Sequence, residues 1–532
     1  MPSIDWIGKA AVERHHLEIP YRLVHCNGRL SMGDVSSDNL LVQGDNLEAL
    51  RALLPHYAGR VKCIYIDPPY NTDKTENDEK WVYNDRVNSR EISDWLDKTV
   101  GTEAQDLCRH DKWLCMMYPR LCLLREFLRK DGVIFVSIDD NEQHRLRMLM
   151  DDVFGGNNFV NTIIWQRASG GGNAKGIITG HDHVLVYQKS KKPVLDFRGD
   201  EIGGRFSKDK IYKKDGKTFF IDDDVVRKVF GPYEAGTERR CHYEELVEYK
   251  NEREIAKIEA KIEQGEYMLV RQKSGKHFIA RLIEEGERKK MYSIIQGVLN
   301  NDGMAEIKEM GLSCPYPKPT ALIRRLLHSC CDKDSIIMDS FAGSGTTAHA
   351  VLQLNKEDGG NRQFILVEMD KEISETITVP RIQKTIEGYE YSDPKKGILK
   401  TYEPLGGGCR FCTLGAPLFD AEGNIDKTVK FSDLAAHIFF TETGKPIPKR
   451  AENALLGEDN GRAIYLLYNG IMGNKHKDGG NILTPKILTE LPKPAVAETH
   501  RVIFAEGTTL SPASLSDKNI DFRQIPYKIH MR

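Results

Sequence analysis

Short apolar runs that stop at acidic or glycine-bearing turns, followed by apolar residues at helical spacing, occur in two separate blocks of this chain. That alternation is the strongest constraint on its fold, because strands alternating with helices build a mostly parallel sheet with helices on both faces. The first block opens at Asn39. Leu40-Leu41-Val42 ends at Gly44-Asp45, and Leu47, Leu50, Leu53 and Leu54 follow along one helix face. Val61 to Ile66 has the pattern of a buried strand and stops at Asp67-Pro68-Pro69-Tyr70, since proline cannot continue a central strand. After a polar segment from Asn71 to about His110, the pattern predicts a helix over about 116–130, a turn at Asp131-Gly132, a strand over 133–138 and a helix over about 141–154.

After Trp165 the rhythm stops. Residues 166–300 begin glycine-rich and become charged and irregular, with one strongly charged helical stretch near 251–266. They are predicted to form an inserted domain, because the α/β rhythm returns only over 301–395. There the sequence predicts a helix over 321–329, a strand over 335–339, the loop Phe341-Ala342-Gly343-Ser344-Gly345, a helix opening at Thr346 and Thr347, and a strand ending in Glu368. Residues 1–38 read as an N-terminal extension, 39–165 as the first half of the α/β domain, and 396–532 as a C-terminal module rich in Gly and Pro.

Composition adds bounds. Lys+Arg (76) nearly balance Asp+Glu (78), which neither favours nor excludes a nucleic-acid partner. Cys63, Cys115, Cys122 and Cys330 lie in apolar runs and read as reduced, buried thiols. Cys409 and Cys412 form a single CxxC with no second pair or nearby His to complete a zinc site, so no metal is expected. A signal-peptide pattern is missing at Met1-Pro2-Ser3-Ile4-Asp5, and no apolar stretch approaches the ~20 residues that span a bilayer. A soluble, cytoplasmic protein is the expectation.

Two constellations carry chemistry. In the glycine loop, Gly343 and Gly345 let the backbone approach a ligand closely, and the loop opens a helix, as in nucleotide-cofactor cradles. Glu368, ending the next strand, is placed to accept hydrogen bonds from ribose hydroxyls. Asp67-Pro68-Pro69-Tyr70 presents carbonyls and one carboxylate at a strand end, because proline removes backbone donors. Such an acceptor edge suits an exocyclic amino group, which has two N–H donors, and Tyr70 offers a ring on which a base can stack.

Together, Asp67-Pro68-Pro69-Tyr70 and Phe341-Ala342-Gly343-Ser344-Gly345 resemble the amino-methyltransferases of restriction–modification systems. The order of the two motifs, with a large insert between them, resembles the permuted beta class. The resemblance implies a Rossmann-like sheet, S-adenosylmethionine as cofactor, a flipped-out adenine in double-stranded DNA as substrate, and target recognition in the insert. Gly44-Asp45-Asn46-Leu47 resembles the family motif whose aspartate, here Asp45, contacts the cofactor's adenine. Lys318-Pro319 resembles the motif near the methionine carboxylate, and Asp339 matches the acidic residue beneath the methionine amino group. Phe341, Ala342, Gly343, Ser344, Gly345 and Thr346 would form the cofactor loop.

The stretches Asp67 to Thr72, Ser137-Ile138-Asp139-Asp140-Asn141-Glu142, Ile163-Ile164-Trp165-Gln166 and Phe522-Arg523-Gln524-Ile525-Pro526-Tyr527 resemble modification subunits of type III restriction systems. The catalytic resemblance covers roughly 39–165 and 301–392. It implies a homodimer, joined by a restriction (helicase–nuclease) subunit. N4-cytosine methylation uses the same amino-group logic, and a catalytically silent DNA-recognition subunit is the alternative of another class. His181-Asp182-His183 reads as a strand entry rather than a metal site. Trp81, Tyr83 and Trp95 are candidates for base contacts or for packing. Arg167, Lys175, Arg205, Lys208, Lys210, Lys213 and Lys214 are candidates for phosphate contacts or a charged surface.

Overall fold

The structure is a computed structural model that describes residues 4–34, 36–72, 109–170, 177–192, 195–201, 211–214, 217–222, 224–228, 239–284, 288–394, 397–420, 424–425, 428–472, 480–496 and 499–525. Trp81, Tyr83, Trp95, Lys175, Arg205, Lys208 and Lys210 lie outside the described residues.

Among the described residues, an 11-stranded sheet organises the larger of two compact units, residues 1–195 and 293–532. In chain order its strands are β1 (Arg22–Cys26), β2 (Met32–Gly33), β3 (Leu40–Gln43), β4 (Val61–Ile66), β5 (Leu128–Ile138), β6 (Phe159–Gln166), β7 (His181–Gln188), β8 (Ile294–Ile295), β9 (Ile336–Asp339), β10 (Gln363–Glu368) and β11 (Gly408–Pro417). Their order across the sheet is β1–β11–β3–β10–β9–β4–β5–β7–β6–β8, with β2 on β11. From β11 to β5 every pairing is parallel. β7 runs antiparallel to both β5 and β6, and β1 antiparallel to β11.

β4 is buried at all six positions, which requires cover on both faces of the sheet. The helices used below are α1 (Asn46–Tyr57), α2 (Arg109–Phe127), α3 (Gln143–Met150), α4 (Asn300–Glu309), α5 (Thr320–Cys330), α6 (Thr346–Asp358) and α7 (Val379–Glu387). Leu50, Leu53, Trp113 and Phe127 of α1 and α2 share one core with Ile64, Ile66, Val136 and Leu185 of the sheet. The expected α/β architecture is thus present as a mostly parallel sheet.

The second unit, residues 196–292, has its own antiparallel sheet ordered Tyr267–Arg271, His277–Glu284, Lys217–Asp222, Ile211–Lys214. Val226, Cys241, Leu246, Ile258 and Ile279 form its core. The separate unit is therefore shorter than the predicted insert of 166–300. Val184 to Tyr187 is an apolar run hydrogen-bonded on both sides, and it draws β7 into the main sheet between β5 and β6. Two other predicted boundaries also move. β1, from the N-terminal extension, and β11, from the C-terminal module, both extend the main sheet, because β11 pairs in parallel with β3. Beyond β11, the strands Leu455–Asp459, Arg462–Leu466, His500–Ala505 and Ile520–Gln524 form a four-stranded sheet.

Candidate active site

Four adjacent strands, β3, β10, β9 and β4, bring their carboxyl ends side by side. Asp45, Glu368, Asp339 and Asp67 stand at or just beyond those ends, where open α/β sheets place their ligands. All the candidate residues on these strand ends and on the glycine loop are thereby gathered along one edge.

Asp67 follows the last residue of β4. Its Oδ2 accepts a 2.6 Å bond from Lys318 Nζ, whereas its Oδ1 is buried and has no hydrogen-bond partner among the described residues. Lys318 Nζ also lies 4.9 Å from the centre of the Tyr70 ring. The family resemblance places Lys318 near the cofactor's methionine carboxylate; the structure pairs it with Asp67. The Tyr70 hydroxyl is buried near Asp67, and burial, with Asp67 and Asp182 adding, raises its pKa well above the ordinary value. Behind the turn, Trp113 Nε1–H donates to the Pro69 carbonyl at 2.7 Å, which fixes the backbone against α2.

β9 ends at Asp339, which is 2% exposed. Its carboxylate accepts from Thr347 Oγ1 at 2.5 Å and from the Phe341 N–H at 3.0 Å. Glu368 accepts from the Gly343 N–H at 2.7 Å and the Asp370 N–H at 2.9 Å. Burial pushes Asp339 and Glu368 up to about 7 each, since neither meets a cation among the described residues that offsets its desolvation.

The loop between them turns through Gly343 (φ +50°) and Gly345 (φ +77°), the left-handed region that only glycine enters without strain. Ala342 N–H donates to the Val367 carbonyl, and Thr378 Oγ1 donates to the Gly343 carbonyl at 2.6 Å. Arg381 of α7, fully buried, donates to Ser344 Oγ (2.9 Å) and Thr346 Oγ1 (2.7 Å), and also meets Thr320 and Glu306. Ser344 and Thr346 thus brace the loop on Arg381. Thr346 Oγ1 also donates to the Lys318 carbonyl at 3.1 Å, tying this loop to the residue that holds Asp67.

Asp45 caps α1: its Oδ1 accepts from the Leu47 and Glu48 N–H groups, and its Oδ2 lies 3.4 Å from Arg120. Gly44 N–H donates to the Glu368 carbonyl at 3.0 Å, which joins the ends of β3 and β10. Sequence reasoning did not find Trp113, Arg120, Glu306, Thr378 or Arg381, because each acts through a partner distant in the chain and none sits in a local motif.

The weaker candidates have structural partners. Arg167 pairs with the buried Asp182 at 3.1 Å, and His183 Nε2 meets Asp140 Oδ1 at 2.8 Å. Cys409 and Cys412 are buried in β11, where Cys412 stands opposite Cys26 of β1.

The model of a DNA methylase family, N6_N4_Mtase, matches residues 61–379. The chain is similar to the StyLTI Mod subunit, a type III restriction-modification enzyme of Salmonella typhimurium, at 33% identity over 64% of this chain and 53% of that protein. It is 28% identical to the type III EcoP15I Mod subunit of Escherichia coli over 69% of this chain and 64% of the relative. It is also 28% identical to the type II methyltransferase M.KpnI of Klebsiella pneumoniae, over 65% of this chain and 84% of that enzyme. The chain thus spans between half and two thirds of the length of the Mod subunits it matches. With the family model spanning more than half of its length, from β4 to the start of α7, this chain belongs to the N6/N4 DNA methylase family.

Proposed function

We propose that this chain transfers a methyl group from S-adenosylmethionine to N6 of adenine in duplex DNA, as the modification subunit of a restriction–modification system. One observation carries the reading: a buried Asp67 Oδ1, without a hydrogen-bond partner among the described residues, near Tyr70 at a strand end beside two buried carboxylates. An amino group entering there gives one N–H to Asp67 Oδ1 and the other to the Pro68 carbonyl, while the Pro69 carbonyl is already taken by Trp113. Lys318 holds Oδ2 and so aims Oδ1 at the incoming base. Stacking on Tyr70, worth about 1–3 kcal/mol, offsets part of the few kcal/mol that extruding the base costs.

The donor set fits the cofactor. Asp339 would hold its amino group and Glu368 its ribose hydroxyls, beside a loop that turns through Gly343 and Gly345 at positive φ. When bound, S-adenosylmethionine supplies a methyl group already activated as a sulfonium. The work left to the chain is to orient the amino group in line and to keep water out, and Asp67 Oδ1 is the atom that first holds the departing proton. Relatives that are Mod subunits of type III restriction-modification enzymes support DNA and a restriction subunit as partners; a second copy of this chain and a place in the cytoplasm belong to the same proposal.

Long-read modification sequencing of DNA from a methylation-free host expressing the chain tests the proposal. N6-methyladenine confined to one short motif is the expected result. N4-methylcytosine in its place would overturn the choice of base. Unmodified DNA, from a protein that still binds S-adenosylmethionine, would replace the enzyme with a silent recognition subunit.

A further inference from the structure

Glu142 lies four residues past the end of β5, and its carboxylate is completely buried. Its Oε1 accepts a 2.6 Å bond from Asn71 Nδ2 and meets His110 Nδ1, while Oε2 lies 3.5 Å from the Arg145 guanidinium. Asn71 directly follows Tyr70. It is 3% exposed and has a φ of +56°, a left-handed conformation that asparagine enters more readily than most non-glycine residues. The same Nδ2 donates to the Arg109 carbonyl at 3.2 Å.

The turn that leaves Tyr70 is thus held through the Asn71 side chain, as the Pro69 carbonyl before it is held by Trp113. Two groups converge on one oxygen of Glu142 and a guanidinium faces the other. Only a carboxylate meets all three without presenting a donor to one of them. A glutamine would turn its NH2 toward Arg145 or toward Asn71.

We infer that Glu142 is a positioning residue for the methyl-accepting base: through Asn71 it fixes the backbone turn that aims Tyr70 and Asp67. The inference rests on reading Asp67 to Tyr70 as the edge that holds the base. A turn free to shift by ~1 Å misplaces the acceptor edge, and displacements of that size lower rates by about 100-fold. Cofactor affinity does not change, because Asp339, Glu368 and the glycine loop are anchored independently of Asn71.

The test uses the full chain and DNA carrying the motif found by sequencing. Glu142→Gln, Asn71→Gly and the double variant are compared with wild type in single-turnover methyl transfer, in S-adenosylmethionine affinity by calorimetry, and in the fluorescence of 2-aminopurine at the target position. Glycine removes the amide while tolerating the positive φ. Each single variant is expected to lose about 100-fold in rate, with cofactor affinity within about twofold and altered 2-aminopurine stacking. The double variant should be no slower than the worse single one, since both break one interaction. Asn71→Asp combined with Glu142→Gln reverses the polarity of that bond and should recover at least about tenfold over Glu142→Gln alone.

Unchanged rates, losses that multiply in the double variant, or cofactor affinity falling in step would each overturn the inference. Should Glu142→Gln fail to fold, Asn71→Gly decides the matter, because it leaves the carboxylate with His110 and Arg145. A wild type that methylates no DNA sinks the base-holding reading and this inference with it; an active wild type with unaffected variants sinks the inference alone.

Discussion

The two oxygens of Asp67 have unlike surroundings, and the difference has a measurable consequence. Lys318 fixes Oδ2, while Oδ1 is buried with no hydrogen-bond partner among the described residues. Asp67→Ala should therefore cut methyl transfer by at least about 10²–10³-fold, the usual effect of deleting one group that orients or stabilises a transition state. Calorimetric affinity for S-adenosylmethionine should stay near wild type, and substantial turnover in this variant would remove Asp67 from its role. Asp339 and Glu368 give a second prediction. Burial raises both to about 7, so the folded state binds these protons more tightly than the unfolded chain does. The stability they contribute is complete below the ordinary carboxylate range and is lost as pH rises toward 7. Between pH 5 and 8, Asp339→Asn should accordingly gain melting temperature relative to wild type, because it has no proton to lose. A cofactor amino group beside Asp339 favours the ionised form, so binding near pH 7 should release protons. Calorimetry in two buffers of different ionisation enthalpy would detect that release, and identical heats would refute it.

Elements depend on such residues for their joints. Gly345 opens α6 at φ +77°, and a Cβ placed there would sit 3.1 Å from Thr378 Cγ2. Gly345→Ala should cost about 1–2 kcal/mol in urea unfolding, the usual penalty for a left-handed alanine, and should also weaken S-adenosylmethionine binding. Arg381→Met removes a buried cation from Glu306 and from three hydroxyls, for which a loss of about 3–5 kcal/mol is expected. A variant as stable as wild type would show the loop to be held by other contacts.

These same elements show what the sequence could reveal. β4 was legible to the residue, since six buried positions in a row end at two prolines. The strand before Glu368 was legible from its buried apolar run, Phe364 to Val367. The predicted helix over 141–154 instead stops at Met150 and continues as a π turn from Asp151 to Gly155. β5 starts at Leu128, because Leu128 pairs with Val61 across a register shift that no periodicity announces. At the site, Asp67, Asp339 and Glu368 could be located because each ends an apolar run, and Tyr70 because it closes the proline turn after Asp67. The contact between Lys318 and Asp67, 251 positions apart, depends on β9 lying beside β4, and no local pattern encodes that.

On the scale of the molecule, the unit over 196–292 begins and ends at neighbouring points. Arg198–Glu201 pairs antiparallel with Arg288–Lys290, and Met291 N–H donates to the Phe197 carbonyl at 2.9 Å. Replacing 196–292 with a short Gly/Ser linker should therefore leave a folded methylase core that still binds S-adenosylmethionine, with its site-specific methylation lost. Retained methylation at the wild-type motif would move target recognition elsewhere in the chain. The order of strands has a further effect, which falls during synthesis. β9 and β10 lie between β3 and β4, yet they are made after both. The ribosome adds roughly 270 residues between the end of β4 and the start of β9, which takes about 13 to 54 seconds at 5–20 residues per second. Over that interval β3 and β4 exist without the two strands that join them, so the nascent chain carries open edges and an incomplete site until its second half emerges.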